Sequence, residues 1–223
     1  MKIAAIVVCR KGSVRIRDKS KKKINKLSLV ERKISQLKKV SLIDEIYLGT
    51  NDLTFKRLSK KYKIKFIERE DKYCDENRTN ARDMIKNMLK YVDADIIIWA
   101  HPTNPLIDEN LYIDAIKLFK KSLKKFDSLF SVTKLQNHFW NNKKRPINHD
   151  PFAKKHITSK KLPPIFFQNG GIFIRYKKDM IKDGGFIGKK PIMFTMDEIQ
   201  GWDIDYYWQL ELARTLVKYK YSK

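Results

Sequence analysis

Two stretches, "IAAIVV" at 3–8 and "DIIIWA" at 95–100, run through at least five consecutive apolar residues. A strand with one wet face alternates apolar and polar residues, so an unbroken apolar strand must be covered on both faces. The intervening chain supplies that cover. Residues 28–39 read as a helix with Leu29, Ile34 and Leu37 for its apolar face, and 52–62 as a second helix. In 79–91, Met84, Ile85, Met88 and Leu89 share one face, and in 108–124 Leu111, Ala115, Phe119 and Leu123 form one stripe. Between them "EIYLGT" (45–50), "IKFI" (64–67) and "SLFSV" (128–132) read as further strands. The alternation predicts a single α/β domain: a mostly parallel sheet with helices on both faces.

The pattern breaks after Thr133. Residues 134–167 are polar, basic and aromatic, without periodicity, and too long for an idle loop, so they are expected to form a functional insertion or an oligomerisation arm. Order returns with "GIFIRY" (171–176), "PIMFTM" (191–196) and a last helix at about 206–218 carrying Leu210, Ala213 and Val217 on one face. The net charge of +24 points to an anionic partner, although basic residues are spread along the whole chain and codon bias accounts for it equally well. Cys9 and Cys74 have neither metal-ligand nor disulfide-framework spacing, which makes a reducing cytoplasm the expected setting. The apolar run at the start is too short for a secretory segment, and no run is long enough to span a membrane.

Ligands of parallel sheets bind at the carboxyl ends of strands. The loop after the first strand, "CRKGSVRIRDKSKKK" (9–23), holds eight cationic side chains. Gly12 and Ser13 permit a tight turn with inward N–H groups, and Arg10, Arg15 and Lys19 can surround a phosphate. Neither G-x-x-x-x-G-K-[ST] nor G-x-G-x-x-G is present, so the loop by itself reads equally as solvated. Far along the chain, "GWDIDYYW" places Asp203 and Asp205 two apart. On extended backbone they share a side, the arrangement in which carboxylates bridge Mg²⁺ to a triphosphate. Asp205 equally suits the N-cap of the helix that follows.

Taken in order, these pieces resemble the CMP-sialic acid synthetases (acylneuraminate cytidylyltransferases). Arg10-x-Gly12-Ser13-x-Arg15-Ile16-x-x-Lys19 is similar to their R-x-G-S-K-R-I-P-x-K-N. "LIDEIYLGTND", "HPTNPL", "SLFSVTKLQ", "QNGGIFI" and "FIGKKPIMFTMDEIQGWDID" follow in the family's order. The resemblance implies a Rossmann-like nucleotidyltransferase over the whole chain, 1–223, with 134–167 as a dimerisation arm. It implies transfer of CMP from CTP to the anomeric hydroxyl of a nonulosonic, nine-carbon 2-keto-3-deoxy sugar acid, releasing pyrophosphate. Arg10 and Lys19 would hold the triphosphate. Gly12, Ser13, Arg15, Ser20 and Arg69 would complete the nucleotide site, Arg69 near the cytosine. Asp203 and Asp205 would hold Mg²⁺, and these four, Arg10, Lys19, Asp203 and Asp205, would be the catalytic set. His101, Thr103, Asn104, Gln168 and Asn169 would line the sugar-acid pocket. A homodimer is implied.

The chain departs from the family pattern at Val14 (Lys), Arg17 (Pro), Ser20 (Asn), Asn51 (Asp) and His101 (Gln). Lys21, Lys22 and Lys23 are close enough to make good the cation lost at Val14. Arg69 is also consistent with a surface ion pair to Glu68 or Asp71. Trp99 is expected in the core, and His138, His149 and His156 are expected to be structural or interfacial. A Kdo-type cytidylyltransferase, a relative that binds nucleotide without turnover, and a basic nucleic-acid-binding protein are the rival readings. The last gives no reason for two paired aspartates, so nucleic acid is not the expected partner.

Overall fold

The computed structural model describes residues 1–221. Its elements follow the chain as β1 (Ile3–Val8), β2 (Lys23–Ile24), β3 (Leu27–Ser28), α1 (Leu29–Leu37), β4 (Glu45–Thr50), α2 (Lys56–Tyr62), β5 (Lys65–Glu68) and α3 (Ala81–Leu89). They continue as β6 (Ile96–Ala100), α4 (Glu109–Ser122), β7 (Ser128–Leu135), β8 (Ile165–Tyr176), α5 (Lys177–Asp183), β9 (Pro191–Met196) and α6 (Tyr207–Tyr221). Three helices begin where a polar side chain takes up an orphan N–H: Ser28 Oγ accepts from Glu31, Asn80 Oδ1 from Asp83 and Asp108 Oδ1 from Leu111. No helix among the described residues is long and apolar enough to cross a membrane.

Seven strands form one sheet in the order β5-β4-β1-β6-β8-β7-β9. All neighbours pair in parallel except those of β8, which runs antiparallel between β6 and β7. The two apolar stretches are the central strands β1 and β6, paired Ile3↔Ile96 through Ile6↔Trp99. Their side chains divide between two cores. Ala5, Val7, Ile96 and Ile98 face Val30, Ile34, Leu37, Tyr112 and Phe119 of α1 and α4. Ala4, Ile6, Ile97 and Trp99 face Ile85, Met88 and Leu89 of α3 and Met180 of α5. Burying each such large side chain contributes roughly 1.5–3 kcal/mol, which is why the apolar runs mark the middle of the sheet.

The stretch 134–167 is partly ordered, contrary to the aperiodic reading. Lys134 and Leu135 extend β7, and Ile165–Phe167 open β8, in register Thr133↔Phe167 and Leu135↔Ile165. The arm is thus the long tip, 136–164, of a hairpin rooted in the sheet. The 12-residue β8 also begins earlier than "GIFIRY" suggested. Phe166–Gln168 near its start are exposed and therefore carry no burial pattern. The hairpin β2–β3 and helix α5 had no apolar periodicity to announce them. The sheet breaks register between Phe130 and Val132, where β8 carries extra residues around Gly170 (φ +71°). Ser131 Oγ donates to Asn169 Oδ1 at 2.5 Å and accepts from Ile172 N at 2.8 Å, stitching this bulge.

Candidate active site

From β1 the chain steps outward to β4 and β5, then returns to lay β6 on the other side of β1. Such a reversal opens a crevice at the strands' carboxyl ends, because the two following loops part in opposite directions. The loop after β1 carries the basic stretch, and the loop after β6 carries His101-Pro102-Thr103. Two adjoining cavities lie there. One of about 380 Å³ is lined by Cys9, Arg10, Arg69, Tyr73, Cys74, Glu76 and His101 among others. The second, of about 210 Å³, is lined by Arg10, Ser13, Arg15, Lys19, Ser20, His101 and Thr103 among others. Arg10 and His101 border both.

The cations are held on their rim. Arg10 donates to the Cys74 carbonyl at 3.2 Å and to Glu76 Oε1 at 3.3 Å. Gly12 takes φ +77°, a region favoured by glycine, and turns the loop there. Lys19 Nζ lies 2.8 Å from the Ile204 carbonyl and 3.0 Å from Asp205 Oδ1, and Arg15 lies 2.7 Å from Asp205 Oδ2. Residues nearly 190 apart in sequence therefore close one site. Asp205 is not the N-cap of α6. Its carboxylate faces Lys19 and Arg15, while Gln209 Oε1 accepts from the N–H groups of Asp205 and Tyr206. Burial pushes the Asp205 carboxyl up, but Lys19 and Arg15 outweigh it and hold the group below its ordinary range.

Asp203 behaves oppositely. Burial, reinforced by the Asp205 charge, raises its carboxyl above the ordinary value against the pull of Thr103 and Lys19. Its Oδ1 is buried with no hydrogen-bond partner. That orphaned acceptor beside a second carboxylate fits a hard cation that takes most of its remaining ligands from phosphate and water. Among the described residues no group of three or more His, Cys, Asp or Glu side chains is arranged to hold a metal ion without such help.

Arg69 is 6% exposed, which replaces the surface ion pair with a buried guanidinium. One of its amino groups donates to the Tyr73 carbonyl, its Nε has no partner, and burial lowers its pKa. Beside it burial pushes the Cys9 thiol up to about 11, with Thr50 and Ser20 hydrogen-bonding in the opposite sense. His101 Nδ1 lies 2.6 Å from the Gly170 carbonyl. A carbonyl only accepts, so Nδ1 is the protonated nitrogen and Nε2 is left as an acceptor. Burial holds the ring below its usual pKa, and Phe173 and Phe186 meet it edge-on.

The remaining expected residues separate. Thr103 reaches the cleft, and its carbonyl accepts from Ile204 N at 2.9 Å. Asn104 (0% exposed) lies behind the cleft, donating to the Asn169 carbonyl at 2.9 Å. Asn169 is also buried, and its side chain is taken up by Ser131, Gly171 and Thr133. Gln168 is exposed on β8 and lines neither cavity. Lys21, one of the three lysines expected to make good the cation lost at Val14, pairs with buried Asp52 at 2.7 Å. Tyr73 and Glu76 also line the larger cavity, and no motif or periodicity in the sequence singles them out.

The profile described as Cytidylyltransferase matches residues 4–217. The chain belongs to the cytidylyltransferase family. It is 24% identical to the N-acylneuraminate cytidylyltransferase of Escherichia coli O18:K1:H7 (strain RS218) over 98% of its length, and spans only 53% of that relative. It is also 24% identical to a pseudaminic acid cytidylyltransferase of Campylobacter jejuni (strain 81-176), covering 98% of this chain and 97% of that protein. A solved CMP:2-keto-3-deoxy-manno-octonic acid synthetase complexed with CTP shares the fold with a TM-score of 0.74 at 14% identity, over 99% of this chain and 100% of that one. For the 4-diphosphocytidyl-2C-methyl-D-erythritol synthase of Anaerococcus prevotii the TM-score is 0.69 at 14% identity, over 97% and 96% of the chains. These solved neighbours agree with the Rossmann-like α/β architecture, and the chain is a nucleotidyltransferase of that fold.

Proposed function

We propose that this nucleotidyltransferase moves CMP from CTP to the anomeric hydroxyl of a nonulosonic, sialic-acid-like 2-keto-3-deoxy sugar acid, yielding CMP-sugar and pyrophosphate. The observation that carries the reading is the junction at the switch-point cleft, where Lys19 and Arg15 from the first loop meet Asp205, beside Asp203, from the last. Phosphoryl transfer asks for cations on the triphosphate and little covalent chemistry from the protein. Arg10, Arg15 and Lys19 are the cations that hold the phosphates, with Gly12, Ser13 and Ser20 shaping the loop. The larger cavity takes the base against Arg69. His101 and Thr103 meet the sugar acid, whereas Asn104 and Asn169 act from behind by shaping the wall. Asp203 and Asp205 would hold Mg²⁺, which supplies charge neutralisation at the phosphates when bound. The relatives by sequence act on N-acylneuraminate and pseudaminic acid by name, which favours a nonulosonate over the shorter Kdo acid. The exposed Trp140 and Phe152 support the reading of the arm as the contact of a homodimer.

The test is pyrophosphate release from CTP with Mg²⁺ and a panel of sialic, legionaminic, pseudaminic and Kdo acids, with Asp203→Ala alongside. Release with a nonulosonate, reduced at least about 100-fold in the variant, is expected. A chain that neither binds CTP nor releases pyrophosphate with any acid refutes the assignment.

A further inference from the structure

Lys33 sits in α1 among Val30, Ile34 and Leu37, and it is 0% exposed. Lysine is almost never fully buried unless paired with a carboxylate. Here Nζ donates to two neutral acceptors, the Asn104 carbonyl at 2.8 Å and Tyr112 Oη at 2.9 Å, and Tyr112 is itself 0% exposed. A neutral amine has two N–H donors, and both are used. An ammonium would carry a third donor and a charge into an apolar core, at a cost that the face of the Tyr112 ring, 5.1 Å from Nζ, offsets only in part. The charged and titratable groups around it are Arg32 on its own helix, Asp108 and Tyr112 of the α4 region, and His101 of the loop above. Burial and Arg32 push the amine well below its ordinary pKa, with Asp108 opposing.

The acceptor matters more than the burial. Asn104 belongs to the loop that carries His101 and Thr103. Arg32 Nε and Gln36 Nε2, one turn apart on α1, both donate to the next carbonyl, Pro105, at 2.8 Å. Asn104 Nδ2 in turn donates to the Asn169 carbonyl and, at 3.4 Å, to the Trp202 carbonyl, next to Asp203. Three donors of one helix thus grip two consecutive carbonyls, and the grip extends to both sides of the cleft. We infer that Lys33 is a positioning residue: by donating to the Asn104 carbonyl it sets the 101–105 loop, and with it His101 and Asp203, in the geometry that the transfer step requires. The inference rests on the cytidylyltransferase reading of this cleft.

The experiment compares wild type, Lys33→Met and Lys33→Gln in CTP binding by calorimetry, in kcat and KM for the sugar acid, and in urea unfolding from pH 7 to 9.5. Met keeps the apolar stem without donors, while Gln keeps a neutral donor on a shorter arm. CTP affinity within about threefold of wild type is expected in both. In Met, kcat/KM is expected to fall about tenfold or more, chiefly in kcat, with partial recovery in Gln. The unfolding comparison reads the proton state. A lysine whose folded pKa is depressed binds fewer protons folded than unfolded, so its contribution grows as pH rises toward the unfolded value of about 10.4 and is lost as pH falls through the folded one. The folding constant of wild type relative to either variant should therefore rise, by up to about tenfold per pH unit. Folded variants with unchanged kcat, or a flat ratio across pH, overturn the proposal. If Lys33→Met does not fold, Lys33→Gln carries both comparisons. Wild type that neither binds CTP nor turns over any acid removes the functional reading and this proposal with it. An active wild type with indifferent variants removes this proposal alone.

Discussion

At the scale of single residues, the two aspartates of one D-x-D segment have been pushed apart by their surroundings. Asp205 is stabilised as an anion by Lys19 and Arg15, while burial and the Asp205 charge disfavour ionisation of Asp203. A carboxyl whose folded pKa is raised costs stability above that pKa and relieves it as pH falls through it. Asp203→Asn removes the charge at constant shape. It should raise the Tm near pH 7, by about 2–4 °C for each kcal/mol relieved, while turnover is lost. Differential scanning calorimetry with a pyrophosphate assay checks both, and a lowered Tm would contradict the account. The same scale shows what spacing could and could not reveal. The sequence put Asp203 and Asp205 on one side of a strand-like segment. It could not show that Arg15 and Lys19 already occupy both oxygens of Asp205, because that pairing depends on two loops meeting across the whole chain. Arg69 is the clearest instance: in sequence it read equally as part of the nucleotide site and as a surface pair with Glu68 or Asp71, whereas the fold buries it beside Cys9 and Cys74.

At the scale of elements, legibility tracked burial. β1 and β4 match the apolar runs residue for residue, because helices and neighbouring strands bury nearly every position; β9 matches its run too, although as an edge strand it buries only Met196 fully. Phe166–Gln168 of β8 are exposed, and α5 is only seven residues long, so neither left a periodic trace. Helix α1 shows how a local signal and a distant one combine. Ser28 and Glu31 have capping-box spacing, and Ser28 Oγ does accept from Glu31 N at 3.1 Å. Yet Glu31 Oε1 turns outward, accepting from Lys61 Nζ at 2.8 Å and Tyr62 Oη at 3.1 Å, and so ties α1 to α2. Ser28→Ala is expected to lower unfolding free energy by about 0.5–2 kcal/mol. Because α1 carries the three donors to Asn104 and Pro105, hydrogen exchange of the 101–105 loop should quicken in the same variant. Urea denaturation and exchange mass spectrometry measure the two effects; a stable helix with a faster loop would separate them.

At the scale of the whole molecule, the chain places its two chemical loops where strand order reverses between β1 and β6, and leaves the arm outside the core. Replacing 140–160 with a short turn should spare the fold, since β7 and β8 remain paired from Ser128↔Arg175 to Leu135↔Ile165. Light scattering should show the mass falling from dimer to monomer; a full-length chain already monomeric at micromolar concentration would contradict the arm's role. The alternation of apolar runs and amphipathic helices is a local property, and covering such strands has few solutions, so the sequence alone determined the layered sheet and the position of the basic first loop at the carboxyl end of β1. The rank of the strands, the antiparallel insertion of β8, the burial of Lys33 and Arg69 and the meeting of Lys19 with Asp205 depend on contacts between residues as much as about 190 apart. Those contacts form only once the chain has closed on itself, and only the tertiary structure decided them.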